Sequence, residues 1–84
     1  MNNSDEKILD ELSKIVREVI GKDDVSLTKN STANDVPGWD SLSHVQILYK
    51  CELTWGIRLT LKELSSLNNV GDLVEIIVKY LENK

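Results

Sequence analysis

The stretch Pro37-Gly38-Trp39-Asp40-Ser41-Leu42 marks the start of a helix and decides how the rest of the chain is read. Proline fixes one backbone angle and glycine permits a conformation that other residues avoid, which suits a turn. Asp40 stands where a helix N-cap is preferred, with Ser41 immediately behind it. Amides in a first helical turn lack intrahelical partners and carry partial positive charge. The sequence therefore predicts an exposed Ser41 hydroxyl at a helix start, where a phosphate ester would be favoured.

Two further segments complete a pattern that resembles a known family. Gly56-Ile57 follows the predicted helix, and Asn69-Val70-Gly71-Asp72-Leu73 comes near the end of the chain. Together with Asp40-Ser41-Leu42, these segments make nearly the whole chain resemble the acyl carrier protein family. The resemblance implies that Ser41 carries a 4′-phosphopantetheine arm through a phosphodiester, and that the thiol of this arm holds an acyl or aminoacyl group as a thioester.

The resemblance also implies a second role for Asp40, beyond capping the helix. In the family, the matching aspartate assists the phosphopantetheinyl transferase that installs the arm, by taking part in a magnesium site shared with that enzyme. Any metal at Asp40 would therefore be transient, and no resident metal site is expected.

Composition predicts one small globular domain, residues 1–84. Hydrophobic residues make up 40% of the chain and charged residues 29%, which is ordinary for a soluble protein with a packed core. The net charge of −4 argues against binding to nucleic acid or to anionic membranes, so the expected partners are proteins with basic patches. A single cysteine, Cys51, excludes an internal disulfide and a cysteine-based zinc site.

The amino terminus, Met1-Asn2-Asn3-Ser4-Asp5-Glu6, lacks the basic start and apolar core of a signal peptide. No apolar run in the chain approaches the length needed to span a membrane. These features predict a cytoplasmic protein.

Apolar residues recur every three or four positions over most of the chain, which predicts helices. Ser4 is the expected cap of the first helix and Gly21 its stop. Thr60 and Glu63 form a capping-box sequence that begins a short third helix, and Asn69 can cap the last one. The predicted fold is all-α, a four-helix bundle with a short third helix and a long first loop. Its helices cover about residues 4–20, 41–54, 61–65 and 70–82.

Residues 22–39 form the long loop of this prediction, because only scattered positions in it are apolar. Structureless connections longer than about 12–15 residues are uncommon in compact domains unless they serve a function, and we interpret this one as functional. Leu27 and Val36 are expected to hold the loop against the helices. Val36 precedes proline and should be extended.

Helix two carries apolar residues on two faces. The set expected to face the core is Ile47, Leu48, Cys51 and Trp55. The offset pair Val45 and Tyr49 is expected to face solvent. We interpret Cys51 as a core residue and not as a thiol that carries acyl groups. Both tryptophans, Trp39 and Trp55, are expected to be structural.

Family resemblance implies that helix-two residues beyond the serine dock partner enzymes. The predicted contact residues are Leu42, His44, Val45 and Tyr49. His44 is expected to be a solvated residue that can contact the phosphate of the arm or a docking enzyme. Fatty-acid carriers usually have an acidic second helix, yet residues 41–54 contain only Glu52 against Lys50. We therefore hypothesise a dedicated carrier whose docking depends on Val45, Tyr49 and shape more than on salt bridges.

The sequence predicts a monomeric carrier that has no catalytic residues of its own. A phosphopantetheinyl transferase would modify Ser41, and acyl- or aminoacyl-loading and processing enzymes would act on the arm, in fatty acid, polyketide or specialised biosynthesis. The main alternative is an aminoacyl or peptidyl carrier of a nonribosomal-type pathway. Two other classes stay open, a cofactor-free helical adaptor and a hydrolase that uses Ser41 with His44.

Overall fold

A computed structural model of the protein describes residues 3–82, with side chains from residue 5 onward. Over this range the chain forms helices and their connections without a strand, so the predicted all-α bundle is confirmed. The four helices are α1 (Asn3–Ile20), α2 (Ser41–Trp55), α3 (Leu61–Ser65) and α4 (Val70–Glu82). Among these helices, none is both long enough and apolar enough to cross a membrane.

The predicted helix bounds are confirmed with two small differences. Helix α1 already begins at Asn3, so Ser4 has a place inside the helix and the expectation that it caps the helix is wrong. Helix α2 continues one residue further than predicted, to Trp55, and Gly56 then ends it with a left-handed φ of 63°. The capping box of Thr60 and Glu63 is present at the start of α3.

The core lies where α1 packs against α2 and α4. Its most deeply buried side chains, each with no exposed surface, are Leu12, Val16, Ile47, Cys51, Val74 and Ile77. Burying one such aliphatic side chain contributes roughly 1.5–3 kcal/mol, so this small set supplies much of the driving force for folding. Trp55 is partly buried against the same core, as predicted. The buried apolar face of α2, with Ile47, Leu48 and Cys51, therefore packs against α1.

The long loop is held to the bundle by side chains and by backbone. Leu27 and Val36 are buried as predicted, and Val25, which the sequence did not single out for this role, is buried beside them. Val36 is extended, with φ −114° and ψ 108°. Arg17 in α1 donates from Nε to the carbonyl of Val25 over 2.8 Å. The loop therefore runs along a defined path to the start of α2.

Backbone carbonyls of the loop also meet the first turn of α4. The amides of Val70 and Gly71 donate to the carbonyls of Ser31 and Lys29, each over 2.8 Å. These amides lie at a helix start, where no intrahelical acceptor exists, so the loop carbonyls satisfy them. A short 3₁₀ helix, Ala33–Asp35, follows in the loop and was not predicted.

Helix α3 is anchored by polar contacts and by Leu64, which packs partly buried against the core. The Glu63 carboxylate accepts from the amide of Thr60 over 2.9 Å and from the hydroxyl of Tyr80 in α4 over 2.6 Å. One carboxylate therefore both caps α3 and ties it to α4. Because α3 is only five residues long and contributes no fully buried side chain, these bonds hold it in place.

Candidate functional site

The turn before α2 is shaped by Gly38. Its φ of 93° lies in the left-handed region, and a Cβ at this position would stand 2.8 Å from Cγ2 of Ile20. The carbonyl of Gly38 accepts from the hydroxyl of Ser43 over 2.8 Å. Only glycine combines this backbone conformation with the close approach to α1, and the turn therefore delivers Asp40 to the helix start in a fixed orientation.

Asp40 is the N-cap of α2, as predicted. Its backbone is extended, and its Oδ1 accepts from the amide of Ser43 over 2.9 Å. The carbonyl of Asp40 accepts from the amide of His44 over 2.8 Å, which closes the first helical turn. Backbone hydrogen bonds, above all the one from Ser43, hold the pKa of the Asp40 carboxyl below its usual value. Asp40 is therefore ionised at neutral pH.

Ser41 occupies the first helical position and is exposed. Within residues 5–82 no hydrogen bond of the structure engages its hydroxyl, so Oγ faces solvent without a competing partner. The residue borders a shallow cleft between the loop and α2. The cleft is lined by Ala33, Asn34, Trp39, Asp40, Ser41 and His44.

His44 lies one turn beyond Ser41 and points toward the loop. Its Nδ1 accepts a hydrogen bond of 3.0 Å from the indole Nε1 of Trp39, and the two rings lie 6.0 Å apart between centroids. Burial lowers the pKa of His44. The expectation of a solvated His44 is therefore wrong, because the indole donor draws the imidazole into a half-buried position.

Ser41 and His44 do not form a serine nucleophile paired with a general base. In such a pair the base hydrogen bonds to the serine and is itself oriented by a third group, commonly a carboxylate. Here Nδ1 of His44 is occupied by Trp39, and the described contacts include no hydrogen bond between His44 and Ser41. The geometry thus gives no support to a hydrolase.

A second, more apolar cleft shares Ala33, Trp39 and His44 with the first. It is lined by Ala33, Trp39, His44, Leu67, Asn68, Asn69, Val70 and Leu73. Asn69 also caps α4 as predicted, because its Oδ1 accepts from the amide of Asp72 over 2.9 Å. The sequence did not associate residues 67–69 with the site, since nothing local to that connection indicates that it folds back toward α2.

The outward face of α2 is apolar. Val45 and Tyr49 are 64% and 60% exposed, which confirms the predicted offset pair, and Leu42 is 69% exposed. Leu53, 65% exposed, extends the same face and was not predicted. The four-residue step from Tyr49 to Leu53 is the signal that could have found it.

Cys51 is fully buried, as predicted for a core residue. Burial raises the pKa of its thiol to about 12, with a smaller effect from the neighbouring Glu52. The thiolate is the reactive form of cysteine, so this side chain is unsuited to carry acyl groups. In the part of the chain that the structure describes, no three potential metal ligands cluster.

The fold and the site together define a carrier-type domain, a small helical bundle that holds out one serine hydroxyl at a helix start. No family model matches the chain. An acyl carrier protein of Rhodococcus erythropolis is 35% identical over 79 residues, covering 94% of this chain and 87% of that protein. An acyl carrier protein of Thermotoga maritima is 31% identical over 78 residues, covering 93% of this chain and 96% of that protein.

A solved structure agrees with these relatives. The solution NMR structure of a holo acyl carrier protein from Geobacter metallireducens matches with a TM-score of 0.84 and 41% identity, over 90% of this chain and 87% of that one. Each match extends over at least 87% of both proteins. The chain therefore belongs to the acyl carrier protein family.

Proposed function

We propose that this protein carries acyl groups as thioesters on a 4′-phosphopantetheine arm attached to Oγ of Ser41. The observation that carries the proposal is the exposed Ser41 at the first position of α2, directly behind its capping Asp40, in a member of the acyl carrier protein family. The holo relative from Geobacter metallireducens supports the presence of a prosthetic group in proteins of this shape.

The residues around Ser41 fit a phosphodiester. The hydroxyl projects at the positive end of the α2 dipole, where a negative charge is favoured. The bordering cleft leaves room beside the hydroxyl, with the side chains of Asn34 and His44 at its edge. When attached, the arm supplies a terminal thiol that holds the cargo. The protein's own residues hold Ser41 in position: Asp40 fixes the helix start, and Gly38 fixes the turn before it.

Asp40 is proposed to have a second task during modification. Its carboxylate is ionised at neutral pH, exposed and adjacent to Ser41. A carboxylate in this position can contribute an oxygen ligand to a magnesium ion that a transferase brings with its substrate. The metal would leave with the enzyme.

The proposed partners are a phosphopantetheinyl transferase and the acyl-loading and processing enzymes that act on the arm. Leu42, Val45 and Tyr49 present apolar contacts next to the attachment point, and His44 would contribute only at the edge because it is half-buried. The protein itself would act as a cytoplasmic monomer without catalytic activity. An aminoacyl or peptidyl cargo is not favoured, since the relatives are acyl carrier proteins by name.

Intact-mass measurement tests the proposal. The apoprotein incubated with coenzyme A, magnesium and a broad-specificity phosphopantetheinyl transferase should gain the mass of one arm, and Ser41→Ala should gain none. Ser26→Ala is the control, because it removes an exposed hydroxyl that lies outside the site and should still be modified. No mass gain by the unaltered protein would favour a cofactor-free adaptor. Ester hydrolysis by the apoprotein, abolished in Ser41→Ala, would favour a hydrolase.

A further inference from the structure

Trp39 and His44 form a pair of rings beside Ser41. Both rings line the two clefts of the site, and Ser41 borders one of these clefts. His44 lies three residues beyond Ser41 in α2, so the two side chains are neighbours on the helix surface. Helical side chains lean toward the N-terminus of their helix, which carries the imidazole over the turn that contains Ser41. The pair therefore lies where the base of an arm on Oγ of Ser41 would be.

Trp39 determines which nitrogen of His44 carries the proton. Its indole N–H donates to Nδ1 over 3.0 Å, and an imidazole nitrogen that accepts a hydrogen bond has no proton of its own. In the neutral ring the proton is therefore on Nε2, which makes Nε2 a donor. Trp39 is itself partly buried against the core, so it holds the imidazole from a fixed position. The single N–H of His44 thus has a defined direction.

Nε2 of His44 is an unused donor that water can reach. No hydrogen bond among residues 5–82 engages this nitrogen, whereas Nδ1 has its indole partner. Within the same range, no buried side-chain nitrogen or oxygen is left without a partner, so Nε2 is open to solvent. The ring as a whole is half-buried. A ligand at the helix start can therefore accept from Nε2 without breaking a bond inside the protein.

Several donors at this helix start already serve Asp40. Its Oδ1 accepts from the amide of Ser43, and its carbonyl accepts from the amide of His44. Its carboxylate is ionised and next to Ser41, which disfavours a second anion close by. Asn34 also offers N–H donors at the cleft, but its exposed side chain has no hydrogen bond within the described part of the chain. A fixed donor from His44 would offset the repulsion between the two anions.

We propose that Trp39 is a positioning residue for the arm, which sets His44 so that Nε2–H donates to a phosphodiester oxygen on Ser41. This inference rests on the proposed function. The resulting bond joins a fixed donor to an anion, and such bonds are stronger than those between neutral groups. It would hold the base of the arm in the cleft that Ala33 and Asn34 line on the loop. Trp39 thus acts on the arm through His44, in addition to packing against the core.

The proposed bond couples the charge state of His44 to the presence of the arm. An anion close to an imidazole favours the protonated ring. The pKa of His44 should therefore be higher in the arm-bearing protein than in the apoprotein, in which burial lowers it. Among the described residues that line either cleft, Asp40 and His44 are the only ones that titrate or carry a charge. The carboxylate of Asp40 is present in both forms and does not account for the difference.

NMR spectroscopy tests the contact directly, because His44 is the only histidine of the protein. The arm-bearing protein, prepared with coenzyme A and a broad-specificity phosphopantetheinyl transferase, is compared with the apoprotein. The Nε2–H proton should give a sharp signal in the arm-bearing protein and be lost through exchange with water in the apoprotein. The pKa of His44 should be higher in the arm-bearing form by about 0.5–1 pH unit.

Two substitutions of His44 separate the hydrogen bond from simple proximity. His44→Phe keeps an aromatic ring without a donor, so the phosphorus signal of the arm should shift and lose its change between about pH 5.5 and 7.5. His44→Gln keeps an acceptor for the indole and an N–H donor. This variant should restore the phosphorus signal at the upper pH but not its pH dependence. Phosphorus signals that are the same in all three proteins would overturn the proposal.

Trp39→Phe tests the positioning role, because it keeps an aromatic ring and removes the indole N–H. The Nε2–H signal of the arm-bearing protein should disappear, and the difference in His44 pKa between the two forms should fall by at least about half. Trp55→Phe is the matched control, the same change at a tryptophan that lines neither cleft, and should alter neither quantity. An unchanged Nε2–H signal in Trp39→Phe would overturn the proposal.

Failure of this inference and failure of the proposed function give different results. A protein that never gains the mass of the arm refutes the proposed function, and the inference with it. An arm-bearing protein in which His44 has the same pKa as in the apoprotein refutes the phosphodiester contact alone. A phosphorus signal that shifts in Asn34→Ala and not in His44→Phe would assign the contact to the loop, which also overturns the inference.

Discussion

The indole Nε1 of Trp39 donates a hydrogen bond to Nδ1 of His44 across 3.0 Å, and this bond joins the turn before α2 to the first turn of the helix. An imidazole that accepts at Nδ1 has no proton on that nitrogen, so the bond exists only for the neutral ring. Protonation of His44 would add a proton to Nδ1, so that this N–H would face the indole N–H of Trp39 and the hydrogen bond would be lost. The start of α2 is therefore sensitive to the charge state of His44.

We expect the free energy of unfolding to decrease as the pH falls from 7.5 to 5.5. Burial places the pKa of His44 in the folded protein below its ordinary value of 6.5, so the unfolded chain binds the proton more readily. The contribution of the neutral His44 ring to the free energy of unfolding is fully present above about pH 6.5. It is lost as the pH falls toward the pKa of His44 in the folded protein. Urea denaturation of the apoprotein at a series of pH values measures this.

His44→Gln separates His44 from other titrating groups. The variant should lose the part of the pH dependence between pH 5.5 and 7.5 that belongs to the imidazole. Asp40 also borders the cleft, but the pKa of its carboxyl is lowered, so it stays ionised across this range. Identical pH profiles for the variant and the unaltered protein would contradict the prediction.

Gly38→Ala should lower the free energy of unfolding by about 2 kcal/mol, because a left-handed φ disfavours alanine and the new Cβ would press on Ile20. Gly21→Ala is the matched control. Gly21 has a φ of 79° but open space around a Cβ, so its substitution should cost only about 1 kcal/mol. Chemical denaturation compares the two variants. An equal loss of free energy of unfolding in both variants would mean that the protein accommodates the new Cβ beside Ile20 without strain.

Asp40→Ala and Asp40→Asn should separate the capping role of this residue from its charge. Alanine removes the acceptor for the Ser43 amide and should lower Tm by about 5 °C, whereas asparagine keeps an acceptor and most of the stability. If the carboxylate also binds the transferase's magnesium, Asp40→Asn should still be modified at least about tenfold more slowly. Thermal unfolding and modification rates are the two measurements. An unchanged modification rate in Asp40→Asn would mean that Asp40 acts only as the helix cap.

Cys51 should be almost inert in the native protein. A thiol pKa raised from 9.0 to about 12 reduces the thiolate fraction at pH 8 by about three orders of magnitude, and burial adds a steric barrier. Ellman's reagent should therefore react rapidly with no thiol of the native apoprotein and with one after denaturation in guanidinium. The arm-bearing form should show one rapid thiol, retained in Cys51→Ala. A fast reaction of the native apoprotein would contradict the burial of Cys51.

Tyr80→Phe should loosen α3 without disturbing the rest of the bundle. The hydroxyl of Tyr80 donates to Glu63, the carboxylate that also caps α3, and phenylalanine cannot replace this bond. Hydrogen exchange of the Leu64 amide, which donates to the carbonyl of Thr60, should accelerate about fivefold. Exchange of amides in α1 should stay the same. Equal protection of Leu64 in both proteins would mean that the capping box alone holds α3.

The exposed Ser41 could be predicted from the sequence, whereas the second cleft could not. The local signals around Ser41 predicted its exposure, and the resulting helix start was correct. The contribution of Leu67 and Asn68 to a cleft beside His44 could not be predicted, because these residues approach α2 only when the connection before α4 folds back. No periodicity or capping pattern encodes that approach.

By itself, the sequence determined the four helices, the N-caps Asp40 and Asn69, the exposed Ser41 and the core position of Cys51. Each of these depends on interactions within one or two helical turns, or on an apolar period that a single helix displays. Only the tertiary structure decided that His44 turns toward Trp39, and that the charges of α2 are engaged elsewhere. Lys50 meets Glu18 from 32 positions away, and Glu52 meets a backbone amide beyond the bend at Gly56. The Lys50–Glu18 pair forms because two helices distant in sequence pack together. The other two bonds span five and seven residues and form because the turns before and after α2 bring neighbouring groups together, which no periodic pattern indicates.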